Sequence, residues 1–154
     1  EQGGWVIMHG RVEATNEWVV SQPDVIAASD GIPFSDGRAH PRGAGTFARI
    51  LGHYVRDRGV LSLMDGLRKM TLLPARRLET VAPQMAAKGR VQVGADADLT
   101  LFDPDRVIDR ATYDAPDRFS EGILHVLVAG TFVVRDEALV DGVTPGQAIR
   151  APTP

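Results

Sequence analysis

The stretch that decides the fold is P-D-V-I-A-A-S-D-G-I-P-F-S-D-G-R-A-H-P-R, from Pro23 to Arg42. Its apolar run, Val25 to Ala28, is bounded by turn-forming residues. Such a run is typical of a buried strand, because a strand covered on both faces needs no polar alternation. Asp30 therefore lies where the predicted strand ends. In parallel α/β proteins the carboxyl ends of strands carry catalytic groups, because rigid backbone positions the side chain beside a loop that admits substrate.

The composition is that of a globular protein large enough for one domain or for parts of two. The chain has 154 residues, of which 44% are hydrophobic and 24% charged, with a formal net charge of -3. Its charges are interspersed, so no basic stripe indicates a nucleic-acid or membrane partner. The absence of cysteine excludes disulfides and thiolate metal sites in this segment and fits a reducing, cytoplasmic compartment. The start, E-Q-G-G-W-V-I-M, lacks the regions of a signal peptide, and we expect a C-terminal piece of something longer.

The first thirty or so residues predict a strand, a helix and a second strand. Trp5–Met8 is an apolar run, Thr15 can cap a helix over Asn16–Val20, and Val25–Ser29 follows after a proline. This order predicts parallel pairing of the two strands.

The middle of the chain predicts helices. An apolar stripe with helical spacing is formed by Phe47, Ile50, Leu51, Tyr54 and Val55. Gly59 is the expected stop of this helix. Ser62 and Asp65 form a capping pair for the next helix. Thr71 precedes a further helix in which Pro74 occupies the first turn, where its missing N–H costs nothing.

From Lys88 onward, short β-like runs alternate with turn residues. The predicted strands are Val91–Val93, Leu99–Phe102, Ile123–Val128 and Thr131–Val134. Ala129-Gly130 predicts a tight hairpin turn, and Val140 closes a further strand. We place a boundary near Val81–Ala87, which divides the chain into residues 1–82 and 83–154.

Several motifs occur in a characteristic order: S-D-G at 29–31, A-H-P-R-G-A-G-T-F-A-R-I-L-G-H-Y-V-R at 39–56, L-R-K-M-T-L-L-P-A-R-R-L at 67–78, K-G-R-V-Q-V-G-A-D-A-D-L-T-L-F-D-P at 88–104, A-T-Y-D-A-P at 111–116 and V-L-V-A-G-T-F-V-V-R-D at 126–136. Together they resemble the C-terminal third of N-acyl-D-amino-acid deacylases, the D-aminoacylases of the amidohydrolase superfamily. The combination is specific, whereas S-D-G alone is weak and G-x-x-A-D-L would identify only the superfamily.

The resemblance implies an α/β fold, the C-terminal part of a (β/α)8 metal-dependent hydrolase barrel followed by the C-terminal strands of a small β-sandwich. Trp5–Met8 would be the seventh barrel strand and Val25–Ser29 the eighth. It also implies one or two divalent metal ions, usually zinc. Asp30 falls on the family's strand-eight aspartate, a metal ligand and the general base that takes a proton from metal-bound water and passes it to the leaving amine.

Parts of the family's metal site are absent from the sequence. No H-x-H pair occurs among His9, His40, His53 and His125, so the remaining ligands are expected before Glu1 and the fragment is not expected to retain zinc. Smaller departures are Ala129, where the family pattern has Asn, and Glu137, where it has Gly. They bear on turn geometry.

Each candidate residue has a structural alternative. Asp30 alone would be a turn aspartate more often than a catalytic one, and the surrounding motif reverses that preference. His40 and Arg42 suit recognition of a substrate carboxylate or amide, and Arg42 is the better candidate because its planar fork pairs two oxygens. The alternative is that both hold the loop to the barrel rim.

Six further polar residues are expected to be structural: Ser29, Ser35, His53, His125, Asp96 and Asp98. His9, at the end of the preceding predicted strand, could line the same pocket, and the alternative is a packed, hydrogen-bonded histidine. Tyr113 and Pro116 are expected to belong to a connection running back across the barrel. The two serines lack the G-x-S-x-G context of a nucleophile. The aspartates lack the remaining positions of a calcium loop and are predicted to be turn formers.

Two classes of function remain open. One is a parent enzyme that hydrolyses the amide of an N-acyl-D-amino acid, with hydrolysis of a cyclic amide such as a hydantoin or dihydropyrimidine as the alternative. The other concerns the isolated chain, which would be a non-catalytic interaction or structural module. Its unpaired strand edges would pair with the remainder of the parent chain or with a second copy.

Overall fold

The computed structural model describes residue 10, residues 12–32 and residues 39–151. The helices are α1 (Glu13–Ser21), α2 (Arg42–Arg49), a π-helix (Ile50–Asp57), α3 (Leu63–Met70), α4 (Leu72–Glu79) and a 3-10 helix (Pro83–Ala87). The strands are β1 (Leu99–Phe102), β2 (Ile123–Val128), β3 (Thr131–Arg135) and β4 (Ala138–Leu139). No helix in these described ranges combines the length and apolar character needed to cross a bilayer.

Helix α1 begins earlier than predicted. Val12, in an extended conformation, is its N-cap residue and no side chain caps it, so the prediction of a Thr15 cap was wrong. Thr15 lies inside the helix, and its backbone N–H donates to Val12 O at 2.9 Å. The first-turn carboxylate of Glu13 favours this earlier start, because it faces the unpaired N–H groups of the helix end.

The predicted strand Val25–Ser29 is not formed as a strand in the described part of the chain. A strand exists only through backbone hydrogen bonds to a neighbouring strand. The predicted partner, Trp5–Met8, lies outside the described residues. The sequence pattern therefore located an extended segment, and whether it pairs stays a prediction.

Lys69 holds this extended segment against α3. Its ammonium donates to Gln22 O and, at 3.2 Å, to Val25 O. The Ala27 N–H in turn donates to Lys69 O at 3.1 Å. Lys69 is 4% exposed, and burial lowers the pKa of its ammonium, with Asp65 opposing this and Arg68 adding to it. One buried side chain thus fixes the backbone that leads to Asp30.

The predicted apolar stripe after residue 46 lies on two successive helices. Helix α2 continues directly into the π-helix, whose wider turns are rare and which the apolar spacing did not indicate. Ile50, Leu51 and Tyr54 are buried as predicted, but Phe47 is 47% exposed. Gly59, with a φ of 60°, follows the helix as the predicted stop.

The start of α3 is as predicted. The Asp65 N–H donates to Ser62 Oγ at 3.1 Å, and Ser62 Oγ donates to Asp65 Oδ2 at 2.7 Å. Thr71 precedes α4, and Pro74 lies in its first turn.

The four strands form one antiparallel sheet in the order β1-β2-β3-β4. Ala129 and Gly130, with φ of 48° and 78°, make the predicted tight turn between β2 and β3. Asp136 and Glu137 make a second left-handed turn before β4, with φ of 52° and 65°. Both departures from the family pattern are therefore accommodated by non-glycine residues in left-handed conformations.

The prediction of a strand at Val91–Val93 was wrong. Val91 is 90% exposed and Val93 fully exposed, so neither side chain gains anything from a sheet. The further strand predicted to close at Val140 is β4, and the Val140 N–H donates to Val133 O at 3.0 Å.

The core joins the helices to the chain beyond β1. One cluster contains Ala48, Leu51 and Val107, and Val107 is 1% exposed. Arg56 adds a polar contact, because its guanidinium donates to Val107 O at 2.7 Å. The second cluster, Ile50, Tyr54 and Leu61, lies among the helices.

Candidate active site

Asp30 presents its carboxylate at the end of the extended segment. Its φ of 48° is a left-handed conformation that costs a non-glycine residue about 1–2 kcal/mol. Its side chain is 83% exposed. The Gly31 N–H donates to Ser29 Oγ at 3.2 Å, so the serine hydroxyl serves the turn that follows. A strained, exposed carboxylate is suited to contact a ligand or substrate.

Arg42, the first residue of α2, binds Asp30 at two points. A terminal guanidinium nitrogen lies 2.8 Å from Asp30 Oδ2, and the Arg42 Nε–H donates to Asp30 O at 2.9 Å. The structure therefore brings together two of the predicted site residues. One guanidinium nitrogen of Arg42 thus engages a carboxylate, while its Nε–H engages a backbone carbonyl.

His40 is the third predicted site residue, and it supports the backbone of Arg42. The Arg42 N–H donates to His40 Nδ1 at 3.0 Å. On the other side of the ring, Tyr113 Oη lies 3.4 Å from His40 Nε2, and the two rings meet edge to face at 5.2 Å. Tyr113 was not predicted as a site residue. Its separation of 73 residues from His40 leaves no local pattern, although it lies in the A-T-Y-D-A-P motif.

The remaining described histidines make structural contacts, as predicted. His53 Nε2 lies 3.1 Å from Glu13 Oε1, which links the π-helix to α1. His125, in β2, accepts a hydrogen bond from the Asp136 N–H at 3.1 Å. Neither contact involves Asp30. His9 and Ser35 lie outside the described residues.

Glu13 and Glu17 tether α1, which buries none of its own residues. Burial raises the pKa of Glu13, but hydrogen bonds to Asn16, Tyr54 and His53 and the charge of Arg49 outweigh it, so that the pKa lies below its ordinary value. Glu17 pairs with Arg58 at 2.7 Å.

Asp96 and Asp98 were predicted to be turn formers, but the turn lies at residues 93–94 and the two aspartates follow it. Both carboxylates pair with Lys88. Asp98 Oδ1 also accepts from the Ala129 N–H at 2.7 Å, and so fastens the β2–β3 turn to the loop before β1. The Ala129 N–H first, and the Lys88 ammonium second, hold the pKa of Asp98 below its ordinary value.

The model of the Amidohydrolase family matches residues 3–134. The chain belongs to this family. It is 49% identical over 108 residues to an N-acyl-D-glutamate deacylase from Alcaligenes xylosoxydans xylosoxydans. This alignment covers 70% of this chain and 21% of that protein. A D-hydantoinase from Geobacillus stearothermophilus is 32% identical over 127 residues, covering 70% of this chain and 27% of the hydantoinase.

Two solved structures share the fold of this family member. A D-aminoacylase crystal structure superposes with a TM-score of 0.82 at 37% identity, covering 90% of this chain and 28% of that one. The N-acyl-D-glutamate deacylase of Bordetella bronchiseptica, complexed with zinc and a phosphonate mimic of the tetrahedral intermediate, gives 0.80 at 42% identity, covering 91% and 28%. The chain therefore spans about a fifth to just over a quarter of the length of the relatives it matches.

The described residues of this chain do not make a metal site by themselves. Among them, no cluster of three or more His, Cys, Asp or Glu side chains is arranged to hold an ion. Asp30 offers a carboxylate suited to one ligand position, whereas zinc takes about four ligands. The other members of such a site would have to come from outside the described ranges.

Proposed function

We propose that the whole protein containing this chain is a metal-dependent amidohydrolase that cleaves the amide bond of N-acyl-D-amino acids. The observation that supports it is the likeness, in sequence and fold and over most of the chain, to deacylases of that substrate class. The match includes the segment that presents Asp30. The proposed architecture is the end of a (β/α)8 barrel in residues 1–82 and part of a β-sandwich in residues 83–154, and the proposed location is the cytoplasm.

Asp30 is the proposed general base. Its exposed carboxylate accepts a proton from the attacking water and returns it to the nitrogen of the leaving amine. The same carboxylate is the proposed metal ligand among the described residues. One or two zinc ions, completed by ligands outside the described residues, would supply a water of lowered pKa.

Arg42 and His40 are the proposed substrate-side residues. A free D-amino-acid product and its N-acyl precursor both carry a carboxylate, and the Arg42 guanidinium already binds the carboxylate of Asp30 at 2.8 Å. Because a guanidinium pairs two oxygens at once, it is suited to orient the substrate beside the base. His40 holds the backbone from which Arg42 extends.

The experiment is a substrate panel with the whole zinc-loaded protein. It compares N-acetyl-D-amino acids with acidic, neutral and basic side chains, their L enantiomers, and cyclic amides including hydantoin and dihydrouracil. We expect hydrolysis of the D series, little of the L series, and loss of activity when a chelator removes the metal. Preference for the cyclic amides would overturn the proposal in favour of the hydantoinase-like alternative, which the D-hydantoinase relative supports.

The isolated 154-residue chain is proposed to be inactive, because the described residues provide only one candidate ligand. Assaying the isolated chain beside the whole protein tests this. Turnover by the isolated chain at a rate near that of the whole protein would contradict it.

A further inference from the structure

A chain of contacts leads from Tyr113 to the candidate base. Tyr113 Oη contacts His40 Nε2, His40 Nδ1 accepts from the Arg42 N–H, and the Arg42 side chain binds Asp30. Tyr113 comes from the segment before β2, whereas the other members lie at residues 30, 40 and 42. The chain of contacts therefore joins the part of the chain beyond β1 to the residues of the candidate site.

The hydrogen-bond pattern fixes the tautomer of His40. A backbone N–H has only a hydrogen to offer, so the Nδ1 atom that it contacts at 3.0 Å must be the acceptor. The neutral ring then carries its hydrogen on Nε2 and donates it to Tyr113 Oη. A ring with its hydrogen on Nδ1 would set two N–H groups against each other and release the start of α2.

The Tyr113 ring also limits how His40 can rotate. The two rings meet edge to face at 79°, with centroids 5.2 Å apart, a favourable arrangement for a pair of aromatic groups. The Tyr113 side chain thus restrains His40 both by its hydroxyl and by its ring, while remaining half exposed at 50%.

We propose that Tyr113 is a positioning residue of the candidate site, which orients His40 and through it the start of α2, so that Arg42 is held where it meets Asp30 and the substrate carboxylate. The kinetic consequence rests on the proposed function. The effect on His40 does not, because it concerns only contacts within this chain.

The test uses Tyr113→Phe, which keeps the ring and removes the hydroxyl, in the whole protein. Tyr54→Phe is the matched control, because Tyr54 is the other tyrosine of the chain and lies beside His53. With histidine selectively labelled with 15N, and the His40 signals assigned by His40→Gln, we expect a protected Nε2–H signal in the wild type and in the control. In Tyr113→Phe this proton should exchange with water several times faster.

In the same variants, Tyr113→Phe should raise KM for an N-acyl-D-amino acid about two- to fivefold, as expected for one weakened contact, and change kcat by less than about twofold. A uniform loss of folding would instead lower the fraction of active enzyme, and hence kcat. An unchanged His40 signal or an unchanged KM in Tyr113→Phe would overturn the inference. If the wild type hydrolyses no N-acyl-D-amino acid, the proposed function fails. The exchange rate of the His40 proton alone then decides whether Tyr113 positions His40.

Discussion

Lys69 holds the extended segment that ends at Asp30, and the two side chains lie in opposite environments. Lys69 is 4% exposed and satisfies two carbonyl oxygens, whereas Asp30 is 83% exposed and in a left-handed conformation. A buried ammonium is stable only while it is hydrogen-bonded. Within the described ranges, the buried charge of Lys69 therefore anchors the backbone that presents the exposed carboxylate of Asp30.

Replacing Lys69 by Met should destabilise the protein by about 2 kcal/mol, because the carbonyl oxygens of Gln22 and Val25 lose their donor in a buried place. Thermal and denaturant unfolding of the whole protein measure this. Arg68→Met is the matched control, since Arg68 is the exposed neighbour on the same helix. Equal effects of the two substitutions would contradict the anchoring role.

Single residues were predictable from the sequence where the evidence was local. Asp30 was located by the apolar run before it, and the Ser62–Asp65 cap by a spacing of three. Tyr113 was missed because its contact with His40 depends on the tertiary fold, across 73 residues. Whether Asp30, His40 and Arg42 act on a substrate stays a prediction.

At the scale of elements, the close approach of the π-helix to the chain after β1 depends on Gly52. A Cβ atom there would lie 2.4 Å from Val107 O and 2.9 Å from Ile108 Cδ1. We expect Gly52→Ala to lower the free energy of unfolding by about 1–3 kcal/mol. Gly146→Ala, where nothing lies within 4 Å, is the control and should have little effect. A Gly52→Ala protein as stable as that control would show that the two elements do not pack this closely.

The β2–β3 turn depends on the ionised Asp98. We expect Asp98→Asn to cost about 1 kcal/mol at pH 7, because the neutral amide binds the Ala129 N–H more weakly and loses Lys88. The folded pKa of Asp98 lies below its ordinary value of 3.8, so its stabilisation is present above that pH and is lost as pH falls through the folded pKa.

Unfolding midpoints measured from pH 7 down to pH 2 check this expectation. The difference between wild type and Asp98→Asn should be constant above about pH 5 and shrink below the ordinary pKa. Asp96→Asn, which loses only its pairing with Lys88 at 2.9 Å, should cost less. A difference between wild type and Asp98→Asn that persists at the acid end would refute the role of the charge.

Secondary structure was predictable where periodicity and turn chemistry agreed. The predicted strands that correspond to β1, β2 and β3 are confirmed, and so is the predicted turn at Ala129-Gly130. The strand predicted at residues 91–93 was wrong because β-branched residues favour a strand only when neighbours cover them. Both valines are exposed. The π-helix was not predictable, since the same apolar stripe fits helices of either width.

At the scale of the whole molecule, family membership is shown and the surrounding architecture stays a prediction. The superposition on a deacylase structure includes 91% of this chain but only 28% of the deacylase chain. The division at residues 82 and 83, the barrel and the sandwich depend on residues beyond those described. The same holds for partners, whether the remainder of a parent chain or a second copy.

The most direct measurement is kcat for an N-acyl-D-amino acid with Asp30→Asn in the whole protein. Asp24→Asn, an exposed aspartate of the same segment, is the control. We expect Asp30→Asn to reduce kcat by about 100- to 10,000-fold, as loss of a general base does, and Asp24→Asn to leave it within about twofold. An Asp30→Asn protein that retains near-normal turnover would contradict the role of Asp30.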